Sequence, residues 1–108
     1  MTTAPQWSAH VTEEGDTNTV ALTGELDLLV ADELTQLLIT RLDRPGTVRV
    51  IADLTAVTFL DSAALGSLIV AYRHAQETGE RFTLANPTRP VRRILDISGV
   101  YDILTDAA

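Results

Sequence analysis

The chain has 108 residues, 45% apolar and 21% charged, with no cysteine and a formal net charge of −7. That is core enough for one domain and not two, and it excludes disulfides and thiolate metal sites. All eight basic residues are arginine and the balance is acidic; nucleic-acid binding is therefore disfavoured, because that affinity rests on phosphate neutralisation.

Residues 6–13 alternate Trp7, Ala9 and Val11 with Gln6, Ser8, His10 and Thr12, the pattern of a half-buried strand. Glu14 to Asn18 is rich in turn formers, and Thr19 to Thr23 reads as a second strand, so the chain opens with an antiparallel hairpin. Gly24-Glu25-Leu26-Asp27 breaks that strand. From about Leu29 to Leu42, the residues Val30, Leu34, Leu37, Leu38 and Leu42 follow helical spacing, ended by Pro45-Gly46. Val48 to Asp53 is a short apolar strand, followed by an apolar loop carrying Phe59 and Leu60. Residues 62–78 form a second helix with Leu65, Leu68, Ile69 and Tyr72 on its inner face and Gly79 after its end. Arg81 to Ala85 is a strand. Thr88 and Pro90 start a third helix with Val91, Ile94 and Leu95 inside, closed by Gly99. Val100 to Thr105 reads as a last short strand.

The order ββαβαβαβ predicts an α/β fold. One domain over residues 1–108, with its core at about 6–105, holds a mixed, mostly parallel sheet of four to five strands and three to four helices. No apolar run reaches the roughly 20 residues of a membrane span, and residues 1–10 show no leader pattern. A cytoplasmic protein is expected, its acidity serving solubility or a basic protein partner.

Partner and ligand sites of open α/β sheets lie at the carboxyl ends of strands. Asp27 follows the second strand, and Asp53, Asp61 and Ser62 follow the third, so the four are expected near one rim. Ser62 opens the second helix, where unpaired N–H groups and the positive end of the helix dipole meet. It is either an N-cap, worth about 1 kcal/mol over alanine, or a hydroxyl placed to receive a phosphate. The residues alone leave both readings open. The carboxylates also have an ordinary reading as caps and turn formers, and neither a metal site nor a cofactor is expected. Gly66 is read as a point of close helix–sheet packing.

Catalysis has little support. Ser62, Ser67, His10 and His74 supply the residue types of a serine hydrolase, but His74 lies about 18 Å from Ser62 along the same helix at the standard rise. No Gly-x-Ser-x-Gly elbow and no glycine-rich phosphate loop is present. Arg89, Arg92 and Arg93 read as a solvated helix face or as a contact for an acidic partner.

Several stretches together resemble the STAS domain family, whose stand-alone members are anti-sigma factor antagonists. They are Thr-Gly-Glu-Leu-Asp at 23–27, Asp-Leu-Thr at 53–55, Val-Thr-Phe-Leu-Asp-Ser at 57–62, Leu65-Gly66, Asn-Pro-Thr at 86–88 and Ile-Leu-Asp-Ile-Ser-Gly at 94–99. The resemblance runs from about Trp7 to Thr105. It implies a non-enzymatic regulator with Ser62 as the phosphorylated serine, Asp53 and Asp61 as its acidic neighbours and Asp27 on the partner-contacting loop. Leu60, Ala63 and Ala64 would add apolar contacts. The implied partners are an anti-sigma factor that is also a serine kinase, bound by the unphosphorylated form, and a PP2C-type phosphatase; the chain itself would be a monomer or weak dimer. The usual motif is Asp-Ser-Ser-Gly-Leu-Gly; here Ala63 and Ala64 replace the second serine and first glycine, adding two methyl groups where a partner is expected to approach. A constitutive STAS scaffold subunit of a signalling or transport complex, and a nucleotide-binding STAS module, are the alternatives.

Overall fold

The N-terminal hairpin pairs β1 (Trp7–Glu14) with β2 (Thr17–Leu26) in the computed structural model, which describes residues 6–106. The chain continues through α1 (Ala31–Leu42), β3 (Arg49–Leu60), α2 (Ser62–Thr78), β4 (Arg81–Ala85), α3 (Arg89–Ile97) and α4 (Tyr101–Thr105). The four strands lie in the order β1-β2-β3-β4, with β1 antiparallel to β2 and the other pairs parallel. The expected α/β domain is therefore present.

Three boundaries differ from expectation. Residues 100–105 form α4 and not a strand. Leu104 is buried while Val100 and Tyr101 pack against the core, a spacing that suits a helical turn, and the Leu104 N–H donates to the Val100 carbonyl at 2.9 Å. Second, β3 does not stop at Asp53, and Phe59 and Leu60 are strand residues rather than loop residues. Asp53 lies opposite Ala21, and Leu60 opposite Leu26, so β3 carries two more residues than β2 over this stretch. Each extra residue is a bulge that returns the inward phase to the core: the buried positions run Val50, Ala52, Leu54, then Val57, then Leu60. Third, Gly24 bends β2 without ending it; the strand continues to Leu26 across a register shift.

One face of the sheet makes the core. Val20, Leu22, Val50, Ala52, Phe82 and Leu84 point into it, against Leu34 and Leu38 of α1, Leu65 and Leu68 of α2, Val91 and Leu95 of α3 and Leu104 of α4. The alternate residues Thr19, Ala21, Ile51 and Thr83 remain half-buried. Parallel sheets are usually covered on both faces; here no helix of the described residues covers the second face, and apart from Ile51 these positions carry small or hydroxyl-bearing side chains that tolerate water. Helices α1 and α2 are pinned by the buried Ser67, whose Oγ donates to the Ala31 carbonyl at 2.7 Å. Arg41, at the end of α1, reaches back to Asn18 and Glu13 and ties that helix to the hairpin.

Candidate functional site

The start of α2 is organised by Asp61, not Ser62. Asp61 has an extended backbone, and its Oδ1 accepts the Ala64 N–H at 2.9 Å, so it is the N-cap. Ser62 is the first helical residue and is exposed. Of the two readings left open for Ser62, the N-cap is the one the structure removes: an aspartate already occupies the capping position. The Ser62 hydroxyl stands at the positive end of a 17-residue helix with its capping duty taken by its neighbour.

Asp61 also reaches outward. Its Oδ2 accepts the Leu28 N–H at 3.0 Å, and its own N–H donates to the Leu26 carbonyl at 3.1 Å. Asp27, one residue after β2, accepts the Leu29 N–H on Oδ1 at 2.9 Å and the Gln6 amide on Oδ2 at 2.6 Å. These bonds set residues 28–30 as a turn, which is why α1 begins at Ala31 rather than near Leu29. Leu28 and Leu29 consequently point to solvent, 72% and 80% exposed. Phe59, at the end of β3, is 45% exposed.

Asp53 is set apart from this group. Measured along β2 from Ala21 to Leu26, it lies about 17 Å from the end of β3 at the usual rise per residue. Its Oδ1 accepts from the Thr55 hydroxyl at 2.6 Å, the Thr55 N–H at 3.1 Å and the Asn86 amide at 3.3 Å. It ties the first β3 bulge to the turn after β4, where Asn86 takes a φ of 54°. The Thr55 hydroxyl bond is the main reason its carboxyl is held below the usual carboxylate range; burial opposes it, and the Thr55 N–H and Asn86 bonds assist. A depressed acid stabilises the fold at neutral pH and loses that contribution as pH falls through its folded pKa. Unfolding followed from pH 7 down to below about pH 4 should therefore show an acid-side loss of stability that Asp53→Asn reduces; an unchanged acid limb would contradict the assignment.

The apolar contacts expected of Leu60 and Ala64 are corrected in kind. They are 1% and 0% exposed and belong to the core, so the Ala64 methyl fills helix–sheet space and only the half-buried Ala63 adds bulk near the surface. Leu28, Leu29 and Phe59 are the exposed apolar groups of this end. The sequence signal for them was two consecutive leucines outside the helical spacing of α1 and an aromatic out of phase with the inward positions of β3. Gly66 is likewise not a tight contact, since a Cβ there would meet nothing within 4 Å. Gly66→Ala should raise stability by about 0.5–1 kcal/mol, read as a higher denaturation midpoint with an unchanged slope.

Two of the serine-hydrolase candidates have other partners among the described residues. His74 pairs with Asp43 at 2.6 Å, and Ser67 is buried between helices. Among the described residues, no group of three His, Cys, Asp or Glu could hold a metal ion, and no helix is long and apolar enough to cross a membrane. Arg92 stacks over Tyr101, 4.5 Å from its ring centroid, and sits 3.7 Å from Asp96.

Fold and site together define a small α/β domain whose notable chemistry lies on an open surface: an exposed helix-start serine beside an apolar loop. The chain belongs to the STAS domain family; the model described as Mlab, STAS domain matches residues 9–105. It is 28% identical over 85 residues to the anti-sigma F factor antagonist of Paenibacillus polymyxa, covering 79% of this chain and 73% of that one. Its fold is similar to that of the Bacillus cell fate determinant SpoIIAA, an anti-sigma factor antagonist. The unphosphorylated form superposes with a TM-score of 0.76 at 22% identity, over 87% of this chain and 83% of that one. The phosphorylated form gives 0.70 at 21% identity, over 86% and 85%.

Proposed function

We propose that this chain is an anti-sigma factor antagonist of the cytoplasm, a non-enzymatic regulator that works by phosphorylation-controlled binding. With Ser62 unmodified it binds an anti-sigma factor that is also a serine kinase, freeing the sigma factor. Phosphate on Ser62 breaks that complex, and a PP2C-type phosphatase restores binding. The free chain is a monomer or weak dimer.

One observation carries this reading: the Ser62 hydroxyl is exposed at the first position of α2 while Asp61 provides the cap. Modifying Ser62 therefore leaves the helix start intact. A phosphoserine brings about −1.5 to −2 charges at neutral pH, which the helix N-terminus accommodates. SpoIIAA keeps a fold similar to this one in both its phosphorylated and unphosphorylated forms, which supports a modification that the domain survives. Asp61 and the exposed Leu28, Leu29 and Phe59 give the surface beside the hydroxyl mixed acidic and apolar character, suited to a protein partner. Asp27 and Ala63 belong to the same proposed surface; Asp53 supports the β3 bulge at a distance from it.

The test is incubation of the unmodified chain with the anti-sigma factor kinase of the same genome and ATP, followed by intact and fragment mass. One phosphate on Ser62 is expected, and none on Ser62→Ala. No phosphate, or phosphate elsewhere, overturns the reading.

A further inference from the structure

Leu28 and Leu29 are adjacent, large and apolar, and 72% and 80% exposed. Their backbone is tied down twice. The Leu28 N–H is held by Asp61 from the start of α2, and the Leu29 N–H by Asp27, which the Gln6 side chain steadies in turn. Two aspartates that read as a charged rim thus spend carboxylate oxygens on the backbone of two leucines. We propose that Asp27 and Asp61 are positioning residues that present Leu28 and Leu29 as a preformed apolar tip, which enters an apolar recess of the anti-sigma factor beside Ser62. This rests on the function proposed above and names the part of the surface that supplies its affinity.

The partner chemistry follows. An ordered backbone means that little freedom is lost on docking, and apolar anchors filling a pocket are the usual source of interface energy. The recess that fits is apolar at its floor. Phosphate on Ser62 would set a doubly charged group one residue from Asp61, the anchor of the tip. Closing the interface would then require stripping water from that charge.

Asp61→Asn separates the two jobs of that residue. Asparagine caps a helix as well as aspartate does, but its single oxygen cannot serve Ala64 and Leu28 together. Amide exchange in the free protein should accelerate at least tenfold at Leu28 in Asp61→Asn and at Leu29 in Asp27→Asn, with the rest of α2 unchanged. Calorimetric titration of the anti-sigma factor kinase of the same genome should show about a tenfold loss for each asparagine variant. The doubly substituted Leu28→Ser, Leu29→Ser chain should lose at least a hundredfold at an unchanged melting temperature. If the serine variant binds like wild type, or neither asparagine variant alters leucine exchange, this inference fails while the phosphorylation switch stands. If the wild-type chain does not bind the kinase at all, the proposed function fails, and the docking role of the tip with it.

Discussion

Ser62→Asp should weaken the complex with the anti-sigma factor kinase at least a hundredfold, whereas Ser62→Ala should bind like wild type and resist switching off. The asymmetry follows from which state each substitution disturbs. In the free chain Ser62 is exposed and Asp61 holds the cap, so alanine should change stability by no more than about 0.5 kcal/mol. This is smaller than the 1 kcal/mol expected of a capping serine. Aspartate at the first helical position sits well in the helix dipole, worth about 0.3–1 kcal/mol in its favour. In the proposed complex the same charge would be enclosed beside Asp61, where like-charge contact and lost hydration cost several kcal/mol; even about 3 kcal/mol is more than a hundredfold. The interface effect therefore dominates, and lost binding would not be lost folding. Parallel melting curves and titrations of the three chains check this. Equal binding by all three would point to a constitutive scaffold, and nucleotide turnover by the isolated chain to the nucleotide-binding alternative.

Gly24→Ala should be the most damaging substitution away from the hydrophobic core. Gly24 has a φ of 96°, and an added Cβ would lie 2.3 Å from the Gln6 carbonyl oxygen. The left-handed backbone alone costs about 1–2 kcal/mol for a residue with a Cβ, and the obstacle is main chain that cannot rotate away. A total of about 2–4 kcal/mol is expected, within the range of mutations that strain special backbone sites, lowering the melting temperature by about 10–20 °C for a domain of this size. The damage should also reach the site: the Gln6 carbonyl accepts the Glu25 N–H, and the Gln6 side chain holds Asp27. Gly79→Ala is the control. Gly79 has a φ of 88° but open space where its Cβ would stand, so it should lose only the backbone part, about 1–2 kcal/mol. Equal losses at the two positions would show that the Gln6 contact does not matter.

Much of this was legible in the residues. The helical spacing of Leu65, Leu68, Ile69 and Tyr72 and the position of Gly79 located α2 at 62–78, as observed. The turn formers at 14–18 located the hairpin. What misled was a pattern that obeys a local rule only after pairing is known. Leu54, Val57 and Leu60 are spaced by three, which looks unlike a strand until two bulges opposite β2 are counted. Val100 to Thr105 is rich in residues suited to strands, yet its buried face is that of a helical turn. The same limit applied to the site. Asp61 and Ser62 both read as residues of a helix start, and only the backbone angle at Asp61 and its bond to Ala64 separate cap from bystander.

Hydrophobic period, turn chemistry and charge are local quantities, written in the order of side chains. By themselves they determined the α/β class, the strand–helix alternation after the hairpin, and the placing of a serine at the mouth of α2. Burial and long-range hydrogen bonds depend on what the rest of the chain brings near. So it was tertiary structure that moved Leu60 and Ala64 into the core, set Asp53 at a distance, and used Asp61, thirty-three positions beyond Leu28, to hold that leucine's backbone while its side chain stands in water.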